Sequence, residues 1–96
     1  MKKLLKTPTY QKWEVSLRDR RALFHVASRV NRLLSGHAGD VQPVGEGVSE
    51  MRIHYGPGYR VYFKARGDEI VILLVGGNKK TQKRDVALAK KLAANF

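Results

Sequence analysis

Hydrophobic residues recur along the first third of the chain with the 3.6-residue period of a helix. Thr7 followed by Pro8 matches an N-cap and a first helical position, which predicts a short helix. A longer helix is predicted after the turn at residues 18–20, and Gly36 stands where its C-terminal cap belongs. The apolar positions of both helices are Tyr10, Trp13, Leu17, Leu23, Val26, Ala27, Val30, Leu33 and Leu34.

From residue 48 onward the apolar positions alternate with a period of two, which predicts β-strands. Turns at residues 56–58 and 67–68 divide this stretch into a three-stranded meander. The run 70–75 is apolar at every position, which is typical of a strand covered on both faces. The predicted strands are 48–55, 58–66 and 69–76.

Shorter segments complete the predicted order of elements. Residues 2–6 fit an edge strand, the glycine-rich stretch 36–47 is predicted to be an irregular loop, and Thr81 is the predicted cap of a C-terminal helix. The order β-α-α-β-β-β-α predicts one α+β domain over residues 1–96, with a twisted antiparallel sheet and helices packed on one face. The apolar side of the last helix is formed by Leu88, Ala89, Leu92 and Phe96.

Strand alternation also assigns side chains to the two faces of the predicted sheet. Met51, Val61 and Phe63 fall on the face that the helices are expected to cover. The opposite face displays polar and basic groups, and it is the candidate site. Its members are Arg52, His54, Arg60, Tyr62 and Lys64.

Charge and composition narrow the class of partner. The 96 residues include 19 Lys and Arg against 8 Asp and Glu, and the net charge of +11 indicates a polyanionic partner. The chain has no cysteine and its three histidines lack metal-ligand spacing, so we expect no metal site and no cofactor. No apolar run approaches a membrane span and no signal-peptide core is present at the start, which predicts a cytoplasmic protein.

The chain resembles the RelE/ParE superfamily of bacterial toxins, and within it the HigB-like addiction-module killer proteins. The resemblance is carried mainly by GDVQPVGEGVSEMRIHYGPGYRVYF and GGNKKTQKRDVALAKKLA, with support from TPTYQKW and RDRRA. It implies a toxin that a cognate antitoxin neutralises, in this branch commonly a helix-turn-helix DNA-binding protein.

Two activities are known among proteins of this superfamily. RelE-like members bind the ribosome and cut mRNA, whereas ParE-like members inhibit DNA gyrase. The resemblance therefore implies an mRNA endonuclease (mRNA interferase) with the ribosome and mRNA as partners. The alternative is a gyrase inhibitor without nuclease activity, and a third reading is an RNA-binding module without catalysis.

The resemblance also implies roles for particular residues. It places basic site positions at Arg60 and Arg52 and at Lys79 or Lys80, although these charges can equally be solvated. RNA scission by the neighbouring 2′-hydroxyl needs a proton acceptor, a proton donor and cations beside the phosphate. His54 is a candidate proton carrier, because imidazole titrates near pH ~6.5, but a lone strand histidine is often a plain surface residue. The stretch KKTQKRDVA lacks the C-terminal tyrosine of RelE, which leaves the base and acid open.

Further residues are candidates for RNA binding. Tyr62 can stack on a base or pack over the sheet edge. The arginines of the long helix form a stripe that either contacts RNA or faces solvent. Asp40, Glu46 and Glu50 are assigned no role, since they would repel a phosphate backbone. The candidate basic contacts are Lys64, Lys83, Arg84, Arg29 and Arg32.

Overall fold

Side-chain caps explain where the first two helices begin. The Thr7 hydroxyl accepts a hydrogen bond from Tyr10 N at 3.0 Å and donates one to Leu74 O at 2.6 Å, so the predicted cap is confirmed. Asp19 caps the second helix by accepting from Arg21 N at 2.9 Å. The computed structural model describes residues 2–96. Its elements are β1 (Lys3–Lys6), α1 (Pro8–Ser16), α2 (Arg20–Leu34), β2 (Val41–Gly45), β3 (Val48–Ile53), β4 (Tyr59–Arg66), β5 (Ile70–Gly77), a 3₁₀ turn (Lys79–Thr81) and α3 (Gln82–Ala93).

The strands form one twisted sheet in the order β1-β5-β4-β3-β2. The α+β class, the edge position of β1 and the meander of β3, β4 and β5 are confirmed. All neighbouring strands are antiparallel except β1 and β5, which run parallel. The sequence predicted an antiparallel sheet because turn signals report only on strands joined by short hairpins, and no hairpin joins β1 to β5.

One predicted loop contains a strand. Residues 41–45 pair with β3, so the prediction of an irregular loop over residues 36–47 is wrong for β2. Residues 45–47 all have positive φ and make the tight turn into β3. Because β2 lies at the sheet edge, Pro43 is tolerated there without leaving an interior carbonyl unpaired.

Helices cover both faces of the sheet. α1 and α2 pack on one face, as predicted, where Tyr10, Val26 and Val30 join a cluster with Val61 and Leu73. We call this the α1–α2 face. α3 packs on the opposite face, the α3 face, and β5 is therefore covered on both sides, as its sequence predicted. The buried residues of the α3 face are Val48, Tyr62, Ile72, Leu74, Val75, Ala89 and Ala93.

Candidate functional site

The predicted basic residues meet on the α3 face, at the end of the sheet where β3 turns into β4. Arg52 and Arg60 lie on the same face, as the alternation predicted, and they are paired directly across the two strands. The 3₁₀ turn and the first turn of α3 lie beside them, since Gln82 hydrogen-bonds into the same group of side chains. The site therefore combines residues from two strands with the start of a helix.

A buried carboxylate, Glu50, holds this group together. It is 1% exposed, and its Oε1 accepts a hydrogen bond from Arg52 Nε at 3.0 Å. Its Oε2 accepts from Tyr62 Oη at 3.0 Å and from Gln82 Nε2 at 2.9 Å. Arg60 Nε lies 3.6 Å from the same oxygen. A buried acid with this many donors is compensated for the loss of water.

The electrostatics of Glu50 follow from these contacts. Burial alone raises the pKa of a carboxyl group, and here the hydrogen bonds from Arg52, Gln82 and Tyr62 and the charge of Arg60 outweigh that effect. The pKa of Glu50 is consequently held below its ordinary value. Glu50 is therefore an anion at neutral pH, and it orients two arginines while cancelling part of their charge.

Arg60 is more enclosed than an exposed sheet residue would be. Its side chain is 13% exposed, and Nη1 donates to Gly58 O at 3.0 Å. Nε is buried and has no hydrogen-bond acceptor among residues 2–96. The Arg60 guanidinium is therefore fixed in orientation, with one buried donor unused.

Exposed lysines extend the positive charge from Arg60 to the 3₁₀ turn. Lys79 and Lys80 are both exposed. Lys79 N donates to Pro57 O at 3.4 Å, which links this turn to the β3–β4 connection. Gly58 lies between the two groups, since a Cβ at that position would be 3.5 Å from Arg60 Nη1 and 3.6 Å from Lys79 Cβ. The arrangement places the enclosed Arg60 guanidinium close to two exposed lysines.

His54 is not alone on this face. It follows the last residue of β3, is mostly exposed, and its Nε2 lies 2.6 Å from Asp40 Oδ2. The hydrogen bond to His54 lowers the pKa of the Asp40 carboxyl group, with a further contribution from the charge of Arg52. His54 and Asp40 therefore form a histidine–carboxylate pair.

Close backbone approaches fix α3 on the sheet. A Cβ on Gly77 would lie 1.8 Å from Asp85 Oδ2, so only glycine fits beneath the buried Asp85 side chain. Asp85 in turn accepts a hydrogen bond from Thr81 Oγ1. A Cβ on the preceding Gly76 would lie 2.1 Å from a ring atom of Trp13 on the other face. These two glycines therefore permit close packing on opposite faces.

Three residues predicted to contact RNA are engaged in tertiary contacts within the fold. Tyr62 is fully buried under α3 with its hydroxyl on Glu50, so it presents no ring to a base. Lys64 Nζ donates to Ala93 O at 3.1 Å and caps the end of α3. Arg29 donates to Arg52 O and Ala38 O and thereby ties α2 to the start of the β2–β3 hairpin. All three are held by tertiary contacts that the local sequence does not encode.

The other basic candidates are exposed. Lys83 and Arg84 lie on the first turn of α3 beside the site, and the Arg84 Nε is 3.8 Å from Asp85 Oδ1. Arg32 lies on α2, which packs on the opposite face. The structure brings Lys83 and Arg84 to the site and leaves Arg32 away from it, and an RNA-binding role for each of them stays a prediction.

Sequence reasoning missed four residues that build the site: Glu50, Asp40, Gln82 and Gly77. Strand alternation could have identified Glu50, because this residue shares a face with Arg52 and lies between the buried Val48 and Met51 in β3. The other three depend on where β2 and α3 lie. No local pattern reports those positions.

Two features are not found among the described residues. Within residues 2–96, no group of three or more His, Asp or Glu side chains is arranged to hold a metal ion. Over the same range, no helix has the length and apolar character needed to cross a membrane.

Comparison with known proteins gives one family and one relative. Residues 13–94 match the family model described as "Phage derived protein Gp49-like (DUF891)", a range that includes every site residue described above. The chain is also similar to a protein of Haemophilus influenzae (strain ATCC 51907 / DSM 11121 / KW20 / Rd) named "Uncharacterized protein". The two are 44% identical over 87 residues, which covers 91% of this chain and 88% of the relative.

Proposed function

Because this chain belongs to the Gp49-like family of phage-derived proteins, we propose that it is the toxin of a toxin–antitoxin pair and acts as a ribosome-dependent mRNA endonuclease. The family is compatible with the toxin of a toxin–antitoxin pair. The resemblance to RelE and HigB-like proteins in the residues around Arg60 supports the nuclease activity in particular. A cognate antitoxin, the ribosome and mRNA are the partners that this function requires.

The orientation of Arg60 is the observation that carries the proposal. Its guanidinium is held between Gly58 O and the buried Glu50, with exposed lysines beside it. A planar fork of donors matches the oxygens of a phosphate better than a point charge does. Fixed donors are most effective where charge develops in a transition state, because they need no reorganisation.

The proposed reaction is transfer of an RNA phosphate to the neighbouring 2′-hydroxyl. A base removes the 2′ proton, the 2′ oxygen attacks phosphorus, and the bond from phosphorus to the 5′ oxygen breaks. An acid then returns a proton to the 5′ oxygen. The products are a 2′,3′-cyclic phosphate and a 5′-hydroxyl end, and Arg60 and Arg52 stabilise the negative charge on the phosphate during the step.

Two groups are suited to the proton transfers. His54 is exposed, lies on the same face as Arg52, and is the proposed base. Lys79 and Lys80 border Arg60 from the 3₁₀ turn, and one of them is the proposed donor to the leaving oxygen. Lys83 and Arg84, at the start of α3, extend the basic surface along which an RNA backbone can bind.

The proposal is tested with purified protein on programmed ribosomes. Primer extension maps cuts in a defined mRNA, and the chemistry of the new ends is determined on the fragments. We expect cuts at the codon in the ribosomal A site, with cyclic phosphate and 5′-hydroxyl ends. A parallel gyrase supercoiling assay is expected to be unaffected.

The opposite pair of results would contradict the proposal. Intact mRNA together with loss of supercoiling would identify a gyrase inhibitor. Intact mRNA and normal supercoiling, with RNA binding retained, would leave an RNA-binding protein without catalysis.

A further inference from the structure

We propose that Asp40 is a positioning residue for His54, holding the imidazole with its proton on Nε2 so that the Nδ1 lone pair is free to accept the 2′ proton. The inference rests on the proposed function and names the device by which that site prepares its base. Asp40 had been assigned no role from the sequence, because an acid near a phosphate is unfavourable unless it acts through another group.

The first support is the geometry of the pair. His54 Nε2 and Asp40 Oδ2 are 2.6 Å apart, the distance of a strong hydrogen bond between an imidazole N–H and a carboxylate. A carboxylate accepts only, so Nε2 must carry the proton in this arrangement. In a neutral imidazole the other nitrogen is then the acceptor, and a base needs an acceptor aimed at the substrate.

The second support is that Asp40 itself is fixed. Its carbonyl oxygen accepts a hydrogen bond from Arg52 N at 3.0 Å, which extends the β2–β3 ladder by one residue. The same oxygen lies 3.4 Å from Arg29 Nη2. The preceding Gly39 has a φ of +77°, a backbone conformation that glycine adopts readily. Hydrogen bonds therefore hold the backbone that carries the Asp40 carboxylate, as a residue that orients another side chain requires.

Neighbouring charges keep Asp40 in the form that accepts a hydrogen bond. Arg52 on β3 and Arg29 on α2 both lie close enough to favour the carboxylate anion. The pKa of Asp40 is lowered mainly by its hydrogen bond to His54; burial opposes this effect, and the charges of Arg52 and Arg29 add to the lowering. The pair thus has its acceptor ionised at neutral pH.

The other histidines differ from His54 in their surroundings. His25 stacks on Tyr55 with ring centroids 4.5 Å apart, and His37 is exposed beyond the end of α2. Neither forms an ion pair with an acid within residues 2–96. His37→Gln is therefore a matched control for His54→Gln, since both remove one exposed imidazole.

The first experiment reads the tautomer directly and does not depend on cleavage. Nitrogen-15 NMR of the histidine rings is recorded for the full chain above the pH at which the rings are charged. We expect the His54 ring to carry its proton on Nε2, and Asp40→Ala, which removes the acceptor, to lower the Nε2-protonated fraction to that of the exposed His37 ring, which stays unchanged. A proton on Nδ1 of His54 in the wild type, or no change in Asp40→Ala, would overturn the inference.

The second experiment connects the pair to the reaction. On programmed ribosomes, Asp40→Asn is expected to lower kcat at least about 10-fold with little change in KM, a part of the 10²- to 10⁴-fold that general base catalysis supplies. Asp40→Glu is expected to restore part of the rate. In a His54→Gln background the same change is expected to have no further effect, because Asp40 acts through the imidazole.

The two experiments separate failure of the inference from failure of the function. An equal loss of rate from Asp40→Asn with and without His54 would make Asp40 a structural residue and overturn the inference. A wild-type protein that cuts no mRNA would overturn the proposed function, and the positioning of a base for that reaction with it. The NMR result would still report whether the pair exists as described.

Discussion

The two faces of the sheet are built from alternate residues of the same strands, yet they differ in kind. The α1–α2 face buries a cluster that includes Val26, Phe63 and Leu73. The α3 face is covered by a helix that contributes Ala89 and Ala93, and it encloses Glu50 beneath it. The second face thus combines a smaller apolar cluster with a buried carboxylate whose charge is compensated by hydrogen bonds.

This difference indicates a division of labour within one small domain. The first face supplies an apolar core that holds the sheet rigid. The second face uses that rigidity to fix charged groups at defined positions, which a loop does less well. Two adjacent glycines show the difference between the faces. Gly76 leaves room for the Trp13 ring on the first face, and Gly77 leaves room for the Asp85 carboxylate on the second.

The largest effect is expected from removing the buried acid. Glu50→Ala leaves two arginines without their shared carboxylate, and breaking a buried pair costs about 3–5 kcal/mol in the free energy of unfolding. Urea unfolding followed by circular dichroism measures this. Glu46→Ala is the matched control, since Glu46 is exposed and lies 3.9 Å from Lys90, and an exposed pair contributes at most about 1 kcal/mol. Similar losses of unfolding free energy in both variants would contradict the claim that the α3 face depends on a buried, compensated carboxylate.

The paired glycines are expected to separate stability from activity. Gly76→Ala and Gly77→Ala each place a methyl group inside a filled space, which costs about 1–3 kcal/mol or somewhat more. We expect only Gly77→Ala to slow mRNA cleavage under conditions where both variants are folded, because Gly77 pairs with Arg60 across β4 and β5. Thermal melts and cleavage rates of both variants check this. Equal slowing would show that the site depends on both faces alike.

Acid is expected to weaken the α3 face first. The pKa of Glu50 is lowered in the folded protein, so its contribution to stability is fully present above the unfolded value near ~4.3 and is lost as the pH falls through the lower folded value. The urea midpoint of the wild type should therefore fall as the pH drops below about 4.3. In Glu50→Gln this fall should be smaller, and an unchanged slope would locate acid sensitivity elsewhere.

The smallest effect is expected at the end of α3. Lys64→Met removes the ammonium that caps Ala93 O, and such a charge at a helix C-terminus contributes about 0.3–1 kcal/mol. Lys83→Met is the control, because Lys83 is exposed on the first turn of the same helix. Hydrogen exchange of the last turn of α3 should rise in the first variant and stay unchanged in the second. A rise in both would mean that the cap is not specific.

Local patterns were sufficient for the elements that carry their own signal. The Thr7 cap, the edge position of β1 and the two-sided burial of β5 were all predictable, since each depends on a few consecutive residues. The shared face of Arg52 and Arg60 followed from strand alternation. The strand β2 escaped prediction, because glycine and Pro43 obscure its alternation.

The parts of the site that were missed depend on contacts between distant segments. The period of α3 identifies its apolar side but not the face of the sheet that it covers, and that choice buries Tyr62 and partly encloses Arg60. Glu50 is buried because residues as far along the chain as Gln82 compensate its charge. Such compensation depends on the complete fold, and no periodic pattern in the sequence indicates it.

The central claim is that the α3 face carries the chemistry through the fixed fork of Arg60, and one comparison tests it directly. Single-turnover cleavage on programmed ribosomes is measured for Arg60→Lys and for Arg66→Lys, which changes an exposed arginine at the other end of β4. Both changes keep the charge, and melting curves verify that both variants are folded. We predict that Arg60→Lys loses about 10²- to 10³-fold in rate, while Arg66→Lys matches the wild type. Cleavage by Arg60→Lys at the wild-type rate would contradict the account.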